Sequence, residues 1–468
     1  MRRLSAQDAS FITLESSTMP MHIGFLLTFK KPSGAPADYM QKLHEKLRRF
    51  PVDVEPFNWR LVQQSGLARL VPAWETVADV DLDYHLRHEA LPWPGGEAEL
   101  GMVVSRLHTT PLDRSRPLWE FYLIEGLERD RFAVYVKLHH ALTDGLVMMQ
   151  QVTAVLSTSP RGRNLPIWAT PLATPEAKAE AKAESSQDKL ARFLEELMAP
   201  PGQRQPDSAQ AESGGPLLFG PKSILNGPIT GRRRLATQSL DLNRIKAVAK
   251  ATETTVNDVV LTVCAGALRR YLIESRDLPN KPLVATIPVA LPRSQGQVAG
   301  NSVGGMNASL ATDVKDAGKR LRAIHASVRA AKSQFRRIPP ALNKVFSSIG
   351  MLAMMLMPDK NDADSEQAKF TNLTISNVPG PKATLYLNGA ELDGMYPVSV
   401  LSGDQRLNIT VLGYRDRLFF GLTGCPDGLP RMQRLAVYLP EALGELELSV
   451  GGRGPAAARR RGGRAEGA

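Results

Sequence analysis

The chain has 468 residues, 43% of them hydrophobic, and a formal net charge of +11. That size fills two or three domains; two cysteines, Cys264 and Cys425, exclude a disulfide framework or an all-thiolate zinc site and fit a reduced, cytoplasmic protein. The start, Met1-Arg2-Arg3-Leu4, lacks the apolar stretch of a signal peptide and reads as mature protein, and no run reaches the ~18–20 apolar residues of a membrane span.

Taken in order, residues 4–15 predict a short helix with Phe11 and Leu14 on its apolar side, followed by Met21-His22-Ile23-Gly24 and a strand through Phe29. A helix over 37–49 shows Tyr39, Leu43, Leu47 and Phe50 on one face. Short strands are expected at 59–62 and 67–71, and a helix at 97–108 with Leu100, Val103, Val104 and Leu107 apolar. Arg116-Pro117-Leu118-Trp119-Glu120 leads a strand to Ile124, and a charged turn at 128–131 closes a hairpin. In the next run Phe132, Val134, Val136 and Leu138 alternate with Ala133, Tyr135, Lys137 and His139, the period of a strand with one buried face. It ends in His139-His140-Ala141-Leu142-Thr143-Asp144-Gly145, after which Leu146, Met149, Val152 and Leu156 recur at helical spacing.

Residues 160–231 are rich in Pro, Ala, Glu, Lys, Gln and Ser and read as a connector, with one amphipathic piece at 190–198 able to dock. The second half predicts a strand at 234–240, helices at 243–250 and 256–271, strands at 283–289 and 304–312, and helices at 315–329 and 340–357. A strand at 372–378 runs into the rigid turn Val378-Pro379-Gly380-Pro381; strands at 395–401, 407–414 and 418–423 and a helix at 431–448 follow. The division is thus 1–160, a connector at 161–231, 232–450, and a tail at 451–468. The Met-rich stretch 349–357 reads as a core helix or as a soft surface for lipid. The tail holds five arginines and one glutamate and is disordered by composition. It reads as a solvated, idle tail, or alternatively as one suited to an anionic membrane surface or nonspecific nucleic-acid contact; no nucleic-acid module accompanies it, so no specific nucleic-acid partner is expected.

The His139–Gly145 heptapeptide sits at a strand-to-helix junction, where a side chain can project while its backbone stays fixed. Thr143 or Asp144 can accept hydrogen bonds from the free N–H groups of the helix start. A histidine there, with an ordinary pKa near ~6.5, can take a proton at neutral pH.

The pattern His-His-x-x-x-Asp-Gly resembles the signature of the CoA-dependent acyltransferase superfamily. With Leu4-Ser5-Ala6-Gln7-Asp8-Ala9-Ser10-Phe11 plus Glu15 and Met21-His22-Ile23-Gly24, Arg116 to Glu120, Val256-Asn257-Asp258-Val259-Val260, and Ile375-Ser376-Asn377-Val378-Pro379-Gly380-Pro381, the chain is similar to the bacterial wax ester synthase/diacylglycerol acyltransferase family from about residue 4 to 450. The connector matches poorly and the tail lies outside the pattern. The resemblance implies an α/β fold of two chloramphenicol-acetyltransferase-like sandwich domains, mixed sheets covered by helices, with a substrate tunnel at their interface. It implies transfer of a long-chain fatty acyl group from acyl-CoA, as substrate and not cofactor, to a long-chain alcohol or diacylglycerol. No further cofactor is implied. Peripheral contact with the inner membrane face or with lipid inclusions is the corresponding expectation for location.

On the family's pattern His140 is the general base and His139 a support. Asp144 is a structural support through a cap or salt bridge, and Gly145 permits tight backbone packing. Asn257 is a candidate oxyanion donor or a buried amide that satisfies loop backbone, Asp258 a cap or site residue, and Ser376 and Asn377 could line the site from the second half. Trp119 and Pro117 are read as core. Three rivals stand beside this reading. One is a metal hydrolase using His139, His140 and Asp144, although adjacent strand residues point to opposite faces; no metal is assigned. The second is a non-catalytic lipid-binding protein. The third is a condensation-type or polyketide-associated acyltransferase with another acceptor.

Overall fold

The computed structural model describes residues 2–62, 72–171, 219–290, 303–337, 371–401 and 403–451. The first half runs β1 (Arg2–Arg3), α1 (Ala6–Leu14), β2 (His22–Lys30), α2 (Tyr39–Arg48), β3 (Trp59–Leu61), β4 (Ala73–Thr76), α3 (Leu82–His85), β5 (Leu86–Ala90), α4 (Glu97–Thr109), β6 (Trp119–Leu127), β7 (Arg131–His139) and α5 (Gly145–Ala154). The second runs β8 (Arg234–Asp241), α6 (Leu242–Ala251), α7 (Val256–Glu274), β9 (Val284–Ala290), β10 (Val303–Ser309), α8 (Ala317–Arg337), β11 (Leu373–Val378), β12 (Tyr386–Leu387), β13 (Ala390–Val398), β14 (Leu407–Tyr414), β15 (Arg417–Gly424) and α9 (Arg434–Gly451). Expectations at 67–71, 190–198 and 340–357, and for the tail beyond 451, fall outside the described residues.

Two mixed six-stranded sheets carry the fold, ordered β12-β13-β2-β7-β6-β5 and β10-β9-β11-β14-β15-β8, with a small β1-β4-β3 sheet beside the first. The β6–β7 hairpin closes through Arg129 and Asp130, both at positive φ, a backbone whose twist matches that of paired strands. The first sheet is covered on both faces. Phe25, Phe29, Phe132 and Val136 meet Met40, Leu43 and Leu47 of α2, while Tyr122, Ile124, Ala133 and Tyr135 meet Leu100, Val104 and Leu107 of α4. This corrects the alternation read from the sequence: every residue of β7 is buried. Its second face tolerates Lys137 because Lys137 Nζ lies 2.6 Å from Glu120 Oε2 and donates to the Leu107 and Thr110 carbonyls at 3.1 and 2.9 Å.

In the second half, Val259, Val263 and Ala267 of α7, Leu321 and Ile324 of α8, and Leu435, Leu439 and Leu443 of α9 cover one face of the second sheet. The opposite face contributes Leu412, Tyr414 and Phe419 to the core of the first half, alongside Leu392 and Met395. Those last two belong to β13, which pairs antiparallel with β2 from Lys30↔Glu391 to Gly24↔Val398. Residues 386–398, which the sequence division places within 232–450, therefore complete the first sheet. The strand also begins five residues earlier than its apolar run suggests. Asp393 is neutralised by partners distant in sequence, Lys30 Nζ at 3.0 Å and Arg131 at 3.6 Å.

Candidate active site

Backbone hydrogen bonds anchor the heptapeptide. His139 N–H donates to Leu118 O (3.0 Å), His140 N–H to Met21 O (2.7 Å), and Leu142 N–H to His139 O (3.0 Å). Asp144 is the N-cap of α5: its Oδ1 accepts from the N–H groups of Leu146 (3.1 Å) and Val147 (3.0 Å), satisfying donors the helix cannot. The cap thus falls on Asp144, not Thr143. Gly145 differs from expectation. A Cβ there would meet nothing within 4 Å among the described residues, so the space above the first turn of α5 is open, not crowded by backbone.

The two histidines diverge. His139 is fully buried at the end of β7. Ala141 N–H donates to its Nδ1 at 3.0 Å, so Nδ1 carries the lone pair and the ring proton belongs on Nε2. That Nε2 lies 3.4 Å from Glu15 Oε1. His140 is half-buried, and its ring stacks on Phe11 with centroids 4.3 Å apart and planes 5° from parallel.

Glu15, just after α1, also accepts from Met21 N–H at 2.9 Å and from Arg114 Nε at 2.9 Å. Burial pushes its carboxyl up, but the contact with His139, the Met21 N–H and the Arg114 guanidinium outweigh burial and hold it at about 2. The sequence places Phe11 on the apolar side of the first helix and gives no sign that it or Glu15 meets the histidine turn. It does pair the two: they stand four residues apart, which puts both side chains on one side of a helix.

Three of the five motifs meet in one small apolar cluster. Phe11, Ile12 and Met21 from the N-terminal motif and its flank, Leu118 from the Pro-Leu-Trp segment, and Ala141 and Leu142 pack with Trp59 and Trp74. Trp119 is core, stacked between His85 (4.4 Å) and Trp168 (5.5 Å), with its indole N–H donating to Phe57 O at 2.8 Å.

The other two motifs meet in the second half. Asn377 Nδ2 donates to Asn257 Oδ1 at 3.3 Å, joining the end of β11 to the first turn of α7. Ser376 points the other way, since successive strand residues alternate. It lies opposite Thr410 in register, and Thr410 bonds Ser399 across to the segment leaving β13 at 2.7 Å. Ser376 and Asn377 therefore do not line one surface together. Asp258 is a cap: it forms a reciprocal capping box with Thr255, and its Oδ2 lies 2.8 Å from His325 Nδ1 on α8. Its carboxyl is pushed up by burial and, more strongly in sum, drawn down by His325 and Thr255.

Two mixed sheets in this arrangement form the fold of condensation domains. The first condensation domain of the CDA synthetase matches with a TM-score of 0.54 at 18% identity, over 96% of both chains, a likeness of fold alone. The family is narrower. A family model described as the wax ester synthase/diacylglycerol acyltransferase catalytic domain matches residues 4–260, and the WS/DGAT C-terminal domain matches 299–447. The wax ester synthase/diacylglycerol acyltransferase of Marinobacter aquaeolei VT8 superposes with a TM-score of 0.77 at 39% identity, covering 96% of this chain and all of that one. The O-acyltransferase WSD of Acinetobacter baylyi is 37% identical over 95% of this chain and 96% of its own length. The chain belongs to the wax ester synthase/diacylglycerol acyltransferase family.

Proposed function

We propose that this O-acyltransferase moves a long-chain fatty acyl group from acyl-CoA to the hydroxyl of a long-chain alcohol, of diacylglycerol, or of both, with His140 as general base. The family and its named relatives support the acyl transfer. The observation that carries the role of His140 is its placement: a half-buried imidazole, backbone-anchored to Met21 and stacked on Phe11, in the turn between β7 and α5. His140 takes the hydroxyl proton as the oxygen attacks the thioester carbonyl. The C–S bond then breaks, and the proton passes to the departing CoA thiolate. Atoms and charge balance without a cofactor. Holding both substrates together supplies much of the acceleration.

His139, with its tautomer set by Ala141 N–H, supports the turn, and Asp144 holds the start of α5. Asn257 is the oxyanion donor in this reading: its oxygen is engaged by Asn377, which leaves its NH2 group as the part offered to substrate. Asp258 positions that turn of α7 as its cap, and Ser376 faces the first half.

No helix among the described residues is long and apolar enough to cross a membrane. We place the enzyme in the cytoplasm, meeting the inner membrane face or lipid inclusions peripherally, where its substrates collect; its charge of +11 favours anionic lipid. Flotation with vesicles of phosphatidylglycerol, against phosphatidylcholine alone, tests this.

The deciding assay mixes purified protein with palmitoyl-CoA and, separately, hexadecanol, diacylglycerol and hexadecylamine, following thiol release and product. Ester is expected with one or both hydroxyl acceptors, and His140→Ala is expected to lower the rate by about 10²–10⁴. Thiol release with none of the acceptors would overturn the assignment, and an unchanged His140→Ala rate would overturn the role of the base.

A further inference from the structure

The N-terminal helix delivers two side chains, four residues apart, to the two adjacent histidines. Phe11 lies flat on the His140 ring. Glu15 approaches His139 and accepts the N–H of Met21, the same residue whose carbonyl accepts the N–H of His140. One carboxylate is therefore connected to the histidine turn by two routes, through the His139 imidazole and through the backbone of Met21. Its second oxygen is held by Arg114, whose guanidinium also donates to Ile12 O at 2.7 Å and so ties α1 to the segment before β6.

We propose that Glu15 is a positioning residue for acyl transfer, and that with Phe11 it makes α1 a clamp setting the place and plane of the His140 ring. The inference rests on the reading of His140 as base. Glu15 does not touch substrate; it acts through His139 and Met21. The carboxylate lies 3.4 Å from the Nε2 edge of the His139 tautomer that Ala141 fixes, a polar contact without a direct hydrogen bond, and because both groups are buried its loss is costly. A ring stacked within 5° on Phe11 keeps one tilt, so the base meets the hydroxyl proton at a fixed angle.

The test uses the purified full-length chain with palmitoyl-CoA and hexadecanol, measuring kcat and both KM values, with melting curves to follow the folded state. Glu15→Gln keeps size and an acceptor for Met21 N–H but removes the charge facing His139 and Arg114. It is expected to lower kcat by about 10- to 100-fold, with both KM values within about twofold of the parent. Phe11→Leu keeps an apolar side chain but loses the parallel ring, and is expected to lower kcat about two- to tenfold, with recovery in Phe11→Tyr. His140→Ala is the control. If it is inactive while Glu15→Gln and Phe11→Leu match the parent, the clamp is refuted and the base stands. If His140→Ala is active, the reading beneath the clamp fails. Should Glu15→Gln lose its melting transition, Phe11→Leu decides: recovery by Tyr but not by Leu supports the clamp, and equal rates in both refute it.

Discussion

Glu15 contributes to folding as well as to the site. A carboxyl held at about 2 when folded, against 4.5 when free, binds fewer protons in the folded state, so its stabilisation is present above pH 4.5 and is lost as pH falls toward 2. The size is about 3 kcal/mol. Glu15→Gln should therefore narrow the difference in melting temperature between pH 7 and pH 4, read by circular dichroism. The sequence displayed this residue without its partners: His139 and Arg114 are over a hundred and about a hundred positions away, and no periodicity reports such a contact. Asp144 was more legible, because a capping acceptor acts on the next three residues. Asp144→Ala is expected to cost at least the roughly 0.5–2 kcal/mol of a lost cap.

Elements are legible where their partners are local. The helices at 97–109 and 256–274 and the hairpin of β6 and β7 follow from apolar spacing and turn chemistry alone. The element that misled is β7, whose Lys137 looks like a solvent-facing residue and is instead fully buried against Glu120, with Tyr122 OH donating to the same carboxylate at 2.5 Å. Burial draws the Lys137 pKa down while Glu120 pulls it up. Lys137→Met leaves the buried carboxylate of Glu120 without its nearer cation, with only Arg87 at 4.0 Å, and should cost about 3–5 kcal/mol in urea unfolding. Adding Glu120→Gln should restore part of that loss, because the two sites are coupled. Segments such as β1 and β4 were missed since they are two and four residues long and depend on pairing with each other, not on their own pattern.

At the scale of the molecule, the two halves share a core through β13. Gly421 of β15 lies so close to this strand that a Cβ there would meet the carbonyl oxygen of Pro397 at 1.7 Å, a backbone atom that cannot move aside cheaply. Gly380, in the Pro-Gly-Pro turn, likewise abuts the carbonyl of Gly413 at 1.9 Å. Gly421→Ala should lower the melting temperature of the whole protein. The parent should unfold in one transition, coincident by tryptophan fluorescence, from the first half, and by far-ultraviolet dichroism, from both. The two-part organisation was legible from composition, because the connector interrupts the apolar pattern. The exchange of a strand between the parts was not, because sequence order says nothing of sheet order when a connection is long.

That exchange also sets a timetable for synthesis. Until the ribosome has made Val398, β2 has β7 on one side and no neighbour on the other, so the run from His22 to Lys30 is an unpaired edge of almost wholly apolar, buried-type residues. At roughly 5–20 residues per second, the nascent first half waits tens of seconds for its last strand. Cells that make this enzyme in quantity must shelter that edge, and chaperone supply should raise its soluble yield more than any change at the active site.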